Sequence, residues 1–141
     1  MSAWDEPRFG IWNALHDGEI TVVAREEPDS LIIFVSIPYV RRRITPLGDS
    51  FRLRLGGFRS AGWSNDIGDS YSELEDIEGL EILEVQSDSM PAKIGCAQGI
   101  LTLDYDSLDI TLDSGQPIAP EEVYRAYEDY WNEWSAKQQQ V

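Results

Sequence analysis

Residues 92–112, AKIGCAQGILTLDYDSLDITL, decide the fold. Three apolar-rich segments, Ala92 to Ala97, Ile100 to Tyr105 and Leu108 to Leu112, are separated only by Gln98-Gly99 and Asp106-Ser107. Spacings this short argue for an antiparallel meander and against βαβ units, which need a helical pattern between strands. Upstream, Leu80 to Val85 reads as a further strand, set off by Ser87-Asp88-Ser89-Met90-Pro91.

The first half repeats the pattern. Ser50 to Leu55 sets Phe51, Leu53 and Leu55 against Arg52 and Arg54, the alternation of a half-buried strand. Leu31 to Ile37 is apolar on both faces apart from Ser36, as a central strand is, and Glu19 to Arg25 alternates again. Proline cannot donate to a ladder, so Pro38 ends or bends the central strand, with Tyr39 to Ile44 expected to continue as an edge strand. Gly56 to Asp69, rich in Gly, Ser and Asn around Phe58, Trp63 and Ile67, predicts a long loop. Ser70 with Glu73 makes a capping box for a short helix through Ile77, stopped by Gly79.

Helical periodicity is confined to the two ends. Trp4, Arg8, Ile11, Trp12 and Leu15, with Pro7 suited to a first turn, predict a short N-terminal helix. After the turn at residues 113–117, Pro120 opens a helix to about Lys137. Val123, Tyr127, Tyr130, Trp131 and Trp134 recur in it at steps of three and four, forming one apolar stripe. The expectation is an α+β fold: a mostly antiparallel sheet of six to eight strands, a meander or partly closed barrel, with a short N-terminal helix and an amphipathic C-terminal helix packed on it.

Composition sets the outer limits. A chain of 141 residues with 42% hydrophobic content suits one domain spanning 1–141. The lone Cys96 has no disulfide partner, which fits a reducing compartment, and the acidic N-terminus lacks the pattern of a signal peptide. A cytoplasmic location follows. The longest apolar run, Leu31 to Val35, is far below the roughly 20 residues that span a bilayer, so no membrane role is expected. The formal net charge of −15 argues against nucleic acid as a ligand, since phosphate binding needs clustered cations. That charge is uneven, −2 over residues 1–70 and −13 over residues 71–141.

Catalytic patterns are absent from the sequence. His16 is the only histidine, and with one cysteine it cannot supply a tetrahedral zinc set. Gly57-Phe58-Arg59-Ser60-Ala61-Gly62 has one residue too many before the serine for a nucleophile elbow, and no phosphate-cradling glycine motif occurs. Asp104, Asp106, Asp109 and Asp113 miss the calcium-loop spacing and read as solvated strand ends. No catalytic residue, metal or cofactor is therefore expected. The basic residues are more informative, because Arg41, Arg43, Arg52 and Arg54 could share a surface if their segments pair. With Tyr39 and Trp63 they would suit a carboxylate or phosphate ligand. The competing expectation is that these arginines neutralise the acidic second half within the same domain.

His16-Asp17-Gly18, Ile37-Pro38-Tyr39-Val40-Arg41, Asp113-Ser114-Gly115 and Tyr130-Trp131-Asn132-Glu133-Trp134 together resemble a small uncharacterised family of bacterial domains. That resemblance brings no activity or catalytic residue to any position. In size and acidity the chain is also similar to immunity proteins of bacterial toxin systems. The expected function is a non-catalytic acidic interaction domain for a basic protein partner, immunity-like in kind. The alternative is a small anionic-ligand-binding domain that uses the Arg cluster between sheet and helix.

Overall fold

Alternation and turn chemistry resolve, in the computed structural model, into ten strands and three helices among the described residues. The structure describes residues 7–26, 28–65, 70–71, 79–87 and 89–139. The strands are β1 (Glu19–Glu26), β2 (Ser30–Ser36), β3 (Ser50–Gly56), β4 (Ser60–Asn65), β5 (Ser70–Tyr71), β6 (Leu80–Val85), β7 (Ala92–Cys96), β8 (Gly99–Asp104), β9 (Ser107–Leu112) and β10 (Pro117–Ile118). The helices are α1 (Pro7–Ala14), α2 (Pro38–Arg41) and α3 (Pro120–Gln139).

The sheet order is β10-β9-β3-β2-β1-β6-β7-β8-β4-β5, and each of these pairings is antiparallel. It is an open sheet built from two meanders, β1-β2-β3 and β6-β7-β8. β9 joins the first and β4 the second, so the chain crosses between halves twice. Both crossings lie at one corner. Residues 57–59 carry β3 into β4 and residues 105–106 carry β8 into β9, while Gly56 pairs with Ser107 and Ser60 with Asp104. Two long bent strands thus run side by side through both halves, which brings the inner faces together over one core. Val23, Ile33, Leu53 and Ile110 from one half belong to the same buried cluster as Ile82, Ile94, Leu101 and Leu103 from the other. At the corner Gly57 takes φ +62°, and a Cβ there would strike the Asp106 carboxylate. Arg59 locks the bend, donating to Asp104 Oδ1 and Asp106 Oδ1, each at 2.6 Å.

The two halves also meet at a seam. β1 and β6 pair through only Glu19–Glu81 and Ile20–Leu80, after which α1 and its turn take over the edge of β6. Asp17 N–H donates to Ile82 O and Ile82 N–H to Gly18 O, both at 2.8 Å. Asn13 Oδ1 accepts from Val85 N–H at 2.9 Å, and His16 Nδ1 donates to Leu83 O at 2.8 Å. Side chains thus do what a neighbouring strand would do, satisfying backbone groups that are costly to leave unpaired when buried. The inner face of α1 is sealed by Ile11, Trp12 and Leu15, and Trp12 Nε1 donates to the buried Tyr105 hydroxyl at 3.0 Å. α3 packs chiefly on α1 and α2, with Val123 and Ala126 reaching the shared core.

Three sequence expectations are corrected. Tyr39 to Ile44 is not an edge strand: Pro38 opens a single helical turn, closed by Arg41 N–H to Ile37 O and Arg42 N–H to Pro38 O. The stretch expected to be a loop from Gly56 contains β4. Its small polar residues have weak strand preference, but full pairing with β8 and burial of Trp63 impose the conformation. Pro117, expected to end the turn, and Ile118, between turn and helix, pair with β9 as β10. The short helix expected through Ile77 falls outside the described residues apart from Ser70 and Tyr71, which form β5.

Candidate functional site

The six residues the sequence suggests for an anion site go to different places. Trp63 is buried in the core on β4. Arg41 is 2% exposed and closes a clasp. Its Nη2 and Nε donate to Asp113 Oδ1 at 2.7 and 2.9 Å, and its Nη1 donates to Thr45 Oγ1 at 2.6 Å. Asp113 Oδ2 accepts from the amides of Asp49 and Ser50. Burial pushes the Asp113 carboxyl up, yet those amides and the guanidinium together hold it below its ordinary value. Arg52 and Arg54 lie on the outward face of β3 and share Glu26, at 3.4 and 3.1 Å. Arg43 pairs with Glu133 of α3 and sits over the Tyr130 ring, 5.6 Å from its centroid. Tyr39 stacks on the same ring at 4.3 Å. The fold therefore brings Tyr39 to Arg43 and Arg52 to Arg54, but it does not join the four arginines. Each is engaged by a carboxylate, Glu26 serving both Arg52 and Arg54, and Asp113 and Glu133 come from the acidic half.

A denser grouping lies where α1, α2 and α3 meet. Asp17 ends α1 with φ +73°, the left-handed conformation usually taken there by glycine. The glycine of this turn is the next residue, where close packing requires it: a Cβ on Gly18 would lie 2.6 Å from Val35 Cγ1. The Asp17 carboxylate is thereby aimed at two neighbours. Its Oδ2 accepts from the Tyr39 hydroxyl at 3.3 Å, and its Oδ1 lies 3.4 Å from His16 Nε2, an ion pair when the ring is protonated. Because His16 Nδ1 donates to a carbonyl, that nitrogen carries a proton. Burial first, and then the Asp17 charge, push the Tyr39 phenol above its ordinary value, so it stays a hydroxyl donor.

The α3 stripe forms the roof. Trp131 contacts His16, Tyr127, Tyr130 and Trp134 with ring centroids 6.1, 6.2, 5.1 and 5.6 Å apart. Val123 is fully buried and Tyr127, Tyr130 and Trp131 half-buried, whereas Trp134 is 46% exposed. The helix outruns the body that covers it, so its stripe passes from core to surface along its own length.

Two open grooves flank α3. One, of about 420 Å³, is lined by Arg43, Ile44, Glu122, Arg125, Ala126 and Asp129 and mixes both signs of charge. The other, of about 520 Å³, is lined by Asn13, His16, Leu83, Glu84, Val85 and Tyr127, and among the described residues no basic side chain apart from His16 lines it. Among the described residues, exposed Glu84, Glu121, Glu122, Glu128 and Asp129 form no ion pair. Burial pushes the Cys96 thiol up to about 12, which removes it as a thiolate nucleophile at neutral pH. Among the described residues no helix is long and apolar enough to cross a membrane.

Nothing in the sequence marks Asn13 or Glu84, whose positions depend on the seam. Asp17 did carry a signal, an acidic residue before glycine at a helix end, though it reads equally as an ordinary turn. Comparison with protein-family models, curated proteins and solved structures gives no match.

Proposed function

We propose that this chain is a non-catalytic, acidic interaction protein that binds a basic protein partner, in the manner of the bacterial toxin-immunity proteins it resembles in size and acidity. One observation supports this reading above the rest. Arg41, Arg43 and Arg59 are engaged by carboxylates of the acidic half, while among the described residues exposed Glu84, Glu121 and Glu128 form no ion pair and stand beside a half-exposed aromatic stripe. A surface with an excess of one sign steers and selects an oppositely charged partner, and exposed tryptophan and tyrosine supply contact area at low entropic cost. An anion, by contrast, would have to displace a carboxylate from each of Arg41, Arg43, Arg52 and Arg54.

The test uses the whole chain as bait in extracts of its native host at about 50 and 300 mM salt, a range over which screening weakens exposed ion pairs. The expected result is a basic protein retained at low salt, released at high salt, and bound again when both proteins are purified and mixed. Retention of no basic protein, or binding indifferent to salt, rules the reading out.

A further inference from the structure

Resting on that reading, we propose that the groove between α1, β6 and α3 receives a cationic side chain of the partner, an arginine in preference to a lysine. The floor and walls are Leu83, Val85, Tyr127 and the His16 ring, with Glu84 exposed at the rim and the Asp17 carboxylate behind the imidazole. Among the described residues neither lysine nor arginine lines it. A guanidinium entering here meets an aromatic wall, Tyr127 backed by Trp131, together with Glu84, a carboxylate with no ion pair among the described residues, the combination that attracts cations over rings. Arginine is favoured because its plane stacks on a ring while its edge still donates to a carboxylate.

The occupant cannot be an added β-strand. An open edge would invite strand addition, but Val85 N–H is taken by Asn13 and Leu83 O by His16, so the groove recognises side chains and not backbone. The groove on the other flank of α3 is the weaker candidate, because Arg43 and Arg125 face Glu122 and Asp129 there and cancel the local charge. Trp134 continues the aromatic wall beyond the groove and offers a second contact for an apolar neighbour of the arginine.

The probes are three short, otherwise neutral peptides that carry arginine, lysine or uncharged citrulline at the same positions. Amide chemical shifts of the full chain are followed during titration at about 25 mM salt, where screening is weak. The arginine peptide should shift amides of Asn13, His16, Leu83, Glu84 and Tyr127, and the citrulline peptide should bind at least about tenfold more weakly. Glu84→Gln, an exposed substitution that leaves the core intact, should weaken the arginine peptide about fivefold, whereas the remote Glu121→Gln should change it less than about twofold. Equal affinity for wild type and Glu84→Gln, with shifts gathered at the Glu121 end of α3, overturns the groove while leaving an acidic interaction protein in place. If no basic peptide binds anywhere at low salt, both the groove and the reading beneath it fail.

Discussion

Two arginine–carboxylate groupings flank the same strand and differ chiefly in burial. In the clasp, Arg41 is almost wholly enclosed, and its guanidinium donates to Asp113, Ser50 and Thr45. In the arch, Arg52 and Arg54 reach across β2 from β3 to Glu26 on β1, in partial contact with water. Beneath the arch lies Ile32, which points outward with Arg54 as its cross-strand neighbour and yet is only 5% exposed. The register sets the Arg54 stem beside it, where arginine methylenes can pack while the head stays wet. The clasp fixes a loop by electrostatics in a dry site, and the arch spans a strand whose Ile32 is nearly buried.

The largest effect should come from opening the clasp at its exposed partner. Asp113→Ala leaves the buried Arg41 charge with only neutral acceptors, so unfolding free energy should fall by about 3–5 kcal/mol in urea titrations. Arg41→Leu should cost less, about 1–3 kcal/mol, because the Asp113 it strands is 26% exposed and keeps two amide donors. If both substitutions cost the same, the asymmetry in burial is not what sets the strength of the clasp.

Acid titration should produce a smaller change at the same place. Asp113 has a folded-state value below its unfolded one, so its stabilising contribution is complete above pH of about 4 and is lost as pH falls through the folded value. Asp113→Asn has no carboxyl to protonate. Its urea midpoint, already lower at neutral pH, should therefore decline less than that of the wild type between pH of about 5 and 2.5. Parallel declines would place the acid-sensitive stability in other carboxylates.

How far these features could be read in advance depended on whether the signal was local. β3, β8 and β9 follow from alternation because one face of each is buried, and α3 follows from its stripe. The turn at Pro38 was hidden because Tyr39-Val40-Arg41 alternates like a strand, while the partner that bends it, Asp113, lies far away in sequence. β4 was hidden because its conformation is a consequence of β8. At the candidate site the aromatic residues were legible as a stripe. Its division into buried Val123 and exposed Trp134 depends on where α1 and α2 stop, which periodicity does not encode.

The smallest expected effects belong to the arch, and they separate its two roles. Arg54→Ala and Arg52→Ala each remove an ion pair that water already screens, so the electrostatic loss should stay below about 1 kcal/mol. If shielding of Ile32 is the main contribution, Arg54→Met, which keeps an apolar stem and drops the charge, should melt within error of the wild type, while Arg54→Ala melts lower. Glu26→Gln asks the converse question, since it frees both guanidinium groups without uncovering Ile32. Sulfate should then raise the melting temperature of Glu26→Gln but not of the wild type, because in the wild type Glu26 already occupies the site an anion would take. Stabilisation of the wild type by sulfate, lost in an Arg52→Ala, Arg54→Ala double variant, would return this face of the sheet to consideration as an anion site.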